Sequence, residues 1–101
     1  MTENHISFLK EAIRLSELSV EHGNEPFGAV LVYDDEIILT AENTIYTEKD
    51  VTCHAELNLI RKASKLDVET RSKCTLYTST EPCAMCATEI YWAGIHTIVY
   101  A

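Results

Sequence analysis

The sequence predicts an α/β fold: a mixed sheet of at least four strands flanked by helices, in the order αββαβαβ. Three observations predict it. Runs with helical periodicity alternate with short β-rich apolar runs. The connection Asp34-Asp35-Glu36 is so short that the strands beside it must form an antiparallel hairpin. A helix-length segment separates the last two strands, and such a crossover makes them parallel. With 101 residues, 47% hydrophobic and 24% charged, the chain reads as a single globular domain over residues 1–101.

Ile6, Leu9, Ile13 and Val20, with Ala12 and Ser16 filling in, follow helical spacing and predict an amphipathic helix over about residues 4–21, ended by Gly23. Pro26-Phe27-Gly28 leads into a buried strand over residues 29–33, and after the turn a second strand returns over 37–41. Residues 43–52 lose the pattern and form a polar loop. Thr52 is placed to cap the next helix, whose inward stripe is Ala55, Leu59, Ile60 and Ala63. Residues 65–73 are a charged connection and 74–78 the third strand. Pro82 opens a helix that runs to about residue 93 and stops at Gly94, and 97–100 form the fourth strand.

Eight basic against sixteen acidic residues give a net charge of -8, which repels phosphate backbones and weighs against a nucleic-acid partner. Most of these acids read as a solvated surface. No apolar run approaches the ~18 residues of a membrane span, and the N-terminal segment carries acids where a leader peptide has a basic region and an uninterrupted apolar one. The expected location is the cytoplasm, where Cys53, Cys74, Cys83 and Cys86 stay reduced. Cys53 and Cys74 read as small packed residues. His5, His22 and His96 sit outside any metal spacing and read as surface or structural residues.

The chemistry concentrates in His54-Ala55-Glu56 and Glu81-Pro82-Cys83-Ala84-Met85-Cys86. Two thiols three residues apart at a helix start share a face and can grip one metal ion, with His54 as third ligand. Three such ligands leave one tetrahedral position for water, as a catalytic zinc needs, whereas a structural zinc closes its site. Taken singly, the Cys-x-x-Cys pair also fits a structural zinc knot or a redox motif. The two stretches in this order, with Pro before the first Cys, match the zinc-deaminase pattern. Helix N-termini favour thiolate at Cys83 and Cys86. One zinc per chain lowers the pKa of bound water from about 15.7 to about 7, and Glu56 is placed to carry the proton. His54 and Glu56, two positions apart, diverge in mid-helix, so both serve one site only if it lies off the helix's first turn.

These residues resemble the cytidine-deaminase-like zinc hydrolases. The similarity runs through Pro26-Phe27-Gly28-Ala29-Val30, Asn43, His54-Ala55-Glu56, the stretch from Thr78 to Cys86, and Tyr91-Trp92-Ala93, nearly the whole chain. Within that family it looks most like the bacterial guanine deaminases and less like the tRNA adenosine deaminases. The resemblance implies a three-layer α/β/α fold, zinc on His54, Cys83 and Cys86, and proton transfer by Glu56. It also implies that Asn43 hydrogen-bonds a purine, that Phe27 and Trp92 contact the base, and that the backbone near Ala55 orients it. Without it, Asn43 reads as a turn residue and Phe27 and Trp92 as core aromatics.

The expected reaction is hydrolytic deamination of a free purine base in purine metabolism, guanine to xanthine with release of ammonia. Adenosine in tRNA and cytosine are the alternatives within that chemistry, and a catalytically weak zinc-binding interaction domain is the alternative outside it. Family members usually continue with a further strand and helix that help close the pocket, so the domain is expected to be C-terminally short. An apolar last strand with an open edge predicts a homodimer or a higher oligomer.

Overall fold

In the computed structural model, which describes residues 3–101, the chain forms α1 (Glu3–Glu21), β1 (Gly28–Tyr33), β2 (Glu36–Glu42), α2 (Ala55–Ala63), α3 (Val68–Ser72), β3 (Thr75–Thr78), α4 (Ala84–Trp92) and β4 (Thr97–Tyr100). The strands lie in the order β2-β1-β3-β4. The expected mixed α/β sheet is therefore present: β1 runs antiparallel to β2 and to β3, and β3 runs parallel to β4. One helix is added to the expected order. The charged connection contains α3, five residues with none buried, started by Asp67, whose side chain accepts from the Thr70 amide. With no apolar face, α3 leaves no periodic trace in the sequence.

The period of two along β1 and β3 divides the core. Ala29, Leu31 and Leu76 pack with Ala55, Leu59, Ile60 and Ala63 of α2 and Ile90 of α4. Val30, Val32 and Tyr77 face the opposite way, onto Leu9 and Leu15 of α1. The result is three layers, with α1 on one side of the sheet and α2 and α4 on the other. The inward stripe expected on α2 is buried as a whole.

On α1 the expected face is buried only in part. Ile6, Ile13 and Val20 are exposed, while Leu9, Ala12, Leu15, Ser16 and Ser19 are buried. Gly28 explains the rotation. A Cβ on it would lie 2.3 Å from the Ala12 carbonyl oxygen and 2.7 Å from both Leu15 Cβ and the Ser16 amide. Backbones that approach this closely need small residues between them, so Ala12 and Ser16 turn inward and the bulkier isoleucines turn out. Burying Leu9 and Leu15 contributes about 1.5–3 kcal/mol each. Ser19 donates to the carbonyls of Glu25 and Asn43, tying the end of α1 to the loops at the start of β1 and the end of β2.

The hairpin turn is two residues, because Glu36 already pairs with Tyr33. Asp34 and Asp35, at φ 52° and 64°, both occupy the left-handed region that this tight turn requires. Leu31 pairs with Leu39 but Val32 pairs with Ile37, so Ile38 is the extra residue of a β-bulge. Two side chains of α2 reach the outer edge of β2. Asn58 Nδ2 donates to the Glu42 carbonyl at 2.9 Å and Lys62 Nζ to the Thr40 carbonyl at 2.6 Å.

Both helix starts behind the candidate site fall later than expected. Thr52 gives its amide and hydroxyl to Asp50, at 2.9 and 2.6 Å, and the N-cap of α2 is His54. Pro82 precedes α4, whose N-cap is Cys83. Gly94, at φ 76°, ends α4 as expected, its amide bonded to the Tyr91 carbonyl. Arg71 of α3 ties down that end, donating to Ala93 O at 2.7 Å and Leu66 O at 2.6 Å. Cys53 and Cys74 are buried, as small packed residues should be. His5 lies against the Tyr77 hydroxyl, and His22 pairs with Glu42 at 2.9 Å. Among the described residues, no helix is long and apolar enough to cross a membrane.

Candidate metal centre

The two helices on one face of the sheet bring their first turns together. As N-cap residues, His54 (ψ 155°) and Cys83 (ψ 172°) are extended, and neither side chain caps its own helix. The imidazole and the thiol are therefore free to face each other. His54 Nδ1 lies 3.6 Å from Cys83 Sγ and 3.6 Å from Cys86 Sγ, and the three ligand atoms all fall within 4.8 Å of one another. Zinc bonds of about 2.0–2.1 Å to nitrogen and 2.3 Å to sulfur, at the tetrahedral angle, separate N from S by about 3.6 Å. The donor set and its spacing thus fit a zinc ion. Cys86 is buried and Cys83 exposed, so one side of the cluster is reachable from outside.

Electrostatics correct one expectation. Burial, with the negative charge of Glu56 and the neighbouring Cys83 adding to it, pushes the Cys86 thiol up to about 12. A helix N-terminus offers only about 0.3–1 kcal/mol at a surface, too little to hold Cys86 as a thiolate against that. A divalent cation is a far larger local charge and reverses the preference.

Glu56, the second residue of α2, is 4% exposed. Burial pushes its carboxyl above the usual range, opposed by its own backbone amide, the Thr78 hydroxyl and His54. His54 and Glu56 both lie at the first turn of α2, the placement that one shared site requires. Thr78 ends β3 on the face that carries Leu76, toward α2 and α4. It is fully buried, and its Oγ1 has no hydrogen-bond partner even though Glu56 is close enough to feel it. The sequence reading treats Thr78 only as a strand residue of the matching stretch. Its signal was parity: a polar side chain in step with the core residue Leu76.

Asn43 and Phe27 meet where β1 begins and β2 ends, the Asn43 amide donating to the Phe27 carbonyl at 3.1 Å. Asn43 is buried, its Oδ1 accepting from the Ile45 amide at 3.1 Å, and Phe27 packs on the core shared with α2. Thr78 pairs with Ala29, and Ser79 bonds Gly28 through both backbone and side chain, so β3 ends at the same edge of the sheet. Ala55, wholly buried, is the first residue of α2. Trp92 is not brought to this cluster. It ends α4, nine residues and about 13 Å along the axis from Cys83, and is 79% exposed beside Ile60, Ser64 and Arg71. A hollow of about 480 Å³ opens elsewhere, between Thr40, Glu42, Asn58, Arg61 and Lys62. Asn58 and Lys62 are already committed there to carbonyls of β2, and none of His54, Cys83 and Cys86 lines it.

Residues 2–101 match the family described as the cytidine and deoxycytidylate deaminase zinc-binding region. The chain belongs to this deaminase family. It is 47% identical over 100 residues to guanine deaminase of Bacillus subtilis, covering 97% of this chain and 64% of that protein. It is 42% identical over 104 residues to a probable cytosine deaminase of Schizosaccharomyces pombe, covering 99% and 61%. To a tRNA-specific adenosine deaminase of Aquifex aeolicus it is 36% identical over 95 residues, covering 93% and 63%. The solved structure of the Bacillus subtilis guanine deaminase superposes with a TM-score of 0.86 at 43% identity, covering all of this chain and 64% of that one. This deaminase-family chain thus spans 61 to 64% of the length of these relatives.

Proposed function

We propose that the chain is a zinc-dependent hydrolytic deaminase of a nucleobase, with guanine as the substrate. The observation that carries this is the cluster of His54, Cys83 and Cys86 at two helix starts, with the buried carboxyl of Glu56 beside it. In this reading the three residues would hold one zinc ion per chain. When bound, the ion supplies water whose pKa falls to about 7. Glu56 would carry one proton of that water to a ring nitrogen of the base and the other to the amine, which then departs as ammonia. One water is consumed, a C–O bond replaces the C–N bond, and no oxidation state changes.

Asn43, Phe27 and the backbone of Ala55 hold the base, a reading supported by their grouping at one end of the sheet. Trp92 is left out of the contacts within its own chain. Guanine is preferred because the guanine deaminase relative is 47% identical, against 42% for the cytosine and 36% for the tRNA enzyme, and because a net charge of -8 works against a polyanion. The test is ammonia release by zinc-loaded protein from guanine, adenine, cytosine, their nucleosides and a short RNA hairpin. Guanine is expected to turn over fastest, with weak dependence on salt. Faster turnover of RNA, falling steeply with salt, would transfer the reading to tRNA, and a zinc-loaded chain inert on the whole panel would reduce it to a metal-binding interaction domain. The reading extends to a homodimer, supported by β4 at the sheet edge with Tyr100 46% exposed, and a monomer in sedimentation equilibrium would refute that part.

A further inference from the structure

Thr78 has a hydroxyl that the fold does not use. The residue is fully buried at the end of β3, and its Oγ1 is the one buried side-chain oxygen or nitrogen among the described residues without a hydrogen-bond partner. Such a group costs stability, because it has left water and gained nothing in return. Valine would fill the same volume without that cost, and would suit a strand whose neighbouring residue on this face is Leu76. The strand register points Thr78 at the layer formed by α2 and α4, where Glu56 is the buried acid.

We propose that Thr78 is the positioning residue of Glu56: its hydroxyl donates to one carboxylate oxygen and so turns the other toward His54, Cys83 and Cys86. A carboxylate on a flexible side chain needs such a second contact to hold one rotamer, since the amide of its own residue can fix only one direction. Thr78 ends β3 and Glu56 lies in the first turn of α2 on the same side of the sheet, and both are buried. Contacts of this kind are often loose in a free protein and tighten when the site is filled. The inference rests on the role given to Glu56 above.

The experiment compares Thr78→Val, Thr78→Ser, Glu56→Gln and the Glu56→Gln/Thr78→Val double variant in zinc-loaded protein, with the Glu56 side-chain carboxylate followed by ¹³C NMR in each threonine variant. The expected result for Thr78→Val is a melting temperature equal to or above the native one and unchanged zinc content. Its kcat is expected to fall about 10- to 100-fold at constant KM, the usual loss when a supporting contact is removed. Thr78→Ser restores kcat, and Thr78→Val adds no loss in the Glu56→Gln background. The Glu56 carboxylate resonance moves in Thr78→Val and returns in Thr78→Ser. A native kcat in Thr78→Val, or a serine variant as impaired as the valine one, would overturn the inference while leaving the zinc and Glu56 assignments standing. Near-native turnover in Glu56→Gln would instead remove the role of Glu56. If no tested base turns over, the resonance alone decides, and a Glu56 signal identical in native and valine variants refutes the contact.

Discussion

Replacing Gly28 by alanine tests the packing that sets the position of the whole first helix. The added methyl would sit 2.3 Å from the Ala12 carbonyl oxygen, where ordinary contact begins at 3.4 Å, so α1 must retreat by about 1 Å or β1 must leave its register with β2 and β3. The obstructing atoms are the Ala12 oxygen, the Ser16 amide and Leu15 Cβ, none of which can swing away as a side-chain tip can. Overpacking of this kind costs about 1–3 kcal/mol, and at about 4–8 °C per kcal/mol for a domain of this size the melting temperature should fall by roughly 5–20 °C. Gly94→Ala is the comparison. Nothing lies within 4 Å of its added methyl, and its cost is the left-handed backbone alone, at φ 76°, about 1–2 kcal/mol. Thermal melts followed by far-ultraviolet circular dichroism give both values. A Gly28→Ala protein melting within about 2 °C of native would refute the argument, because it would mean that α1 rides on the sheet loosely enough to absorb a methyl group.

Cys83→Ala should reduce bound zinc from about one ion per chain to near zero by elemental analysis, and unchanged zinc content would break the ligand assignment. Glu56→Gln should keep its zinc and lose turnover by at least ~100-fold in the ammonia assay. Asp67, which caps α3, has its carboxyl held below the usual 3.8 by hydrogen bonds from the Thr70 side chain and amide. A depressed value stabilises the fold above pH 3.8 and loses that contribution as pH falls through the lower folded value. Melts of native protein and Asp67→Ala should therefore differ at neutral pH and converge in acid, and a difference constant with pH would argue against the charge.

The hairpin, the parallel crossover and the grouping of His54, Cys83 and Cys86 were all legible in the sequence, because each depends on residues close together in the chain or on side-chain chemistry that few residue types share. The helix starts were not. His54 and Cys83 occupy cap positions without being good caps, while Thr52, a good cap, is taken by Asp50. The face of α1 was legible in part: Leu9, Ala12 and Ser16 are buried as read, whereas Ile6, Ile13 and Val20, which obey helical spacing equally well, are exposed. The choice between them is made by Gly28, far away in sequence. Trp92 stands close to the cysteines in the chain and lies at the opposite end of α4 from Cys83. For Cys86, the helix dipole could be read from the sequence and the degree of burial could not, and burial is the larger effect.

The contacts of α2 with the far edge of β2 give the sheet a direction of growth. Asn58 and Lys62 occupy the carbonyls that an incoming strand would need at that side, while β4 is last in the strand order with no described strand beyond it. A strand that joins this sheet, whether from the same polypeptide or from another copy, therefore meets fewer engaged carbonyls at β4. A sheet with one border partly covered in this way disfavours head-to-tail growth by strand addition. Two copies that meet border to border exhaust each other's free edge, so such assembly terminates at a closed pair.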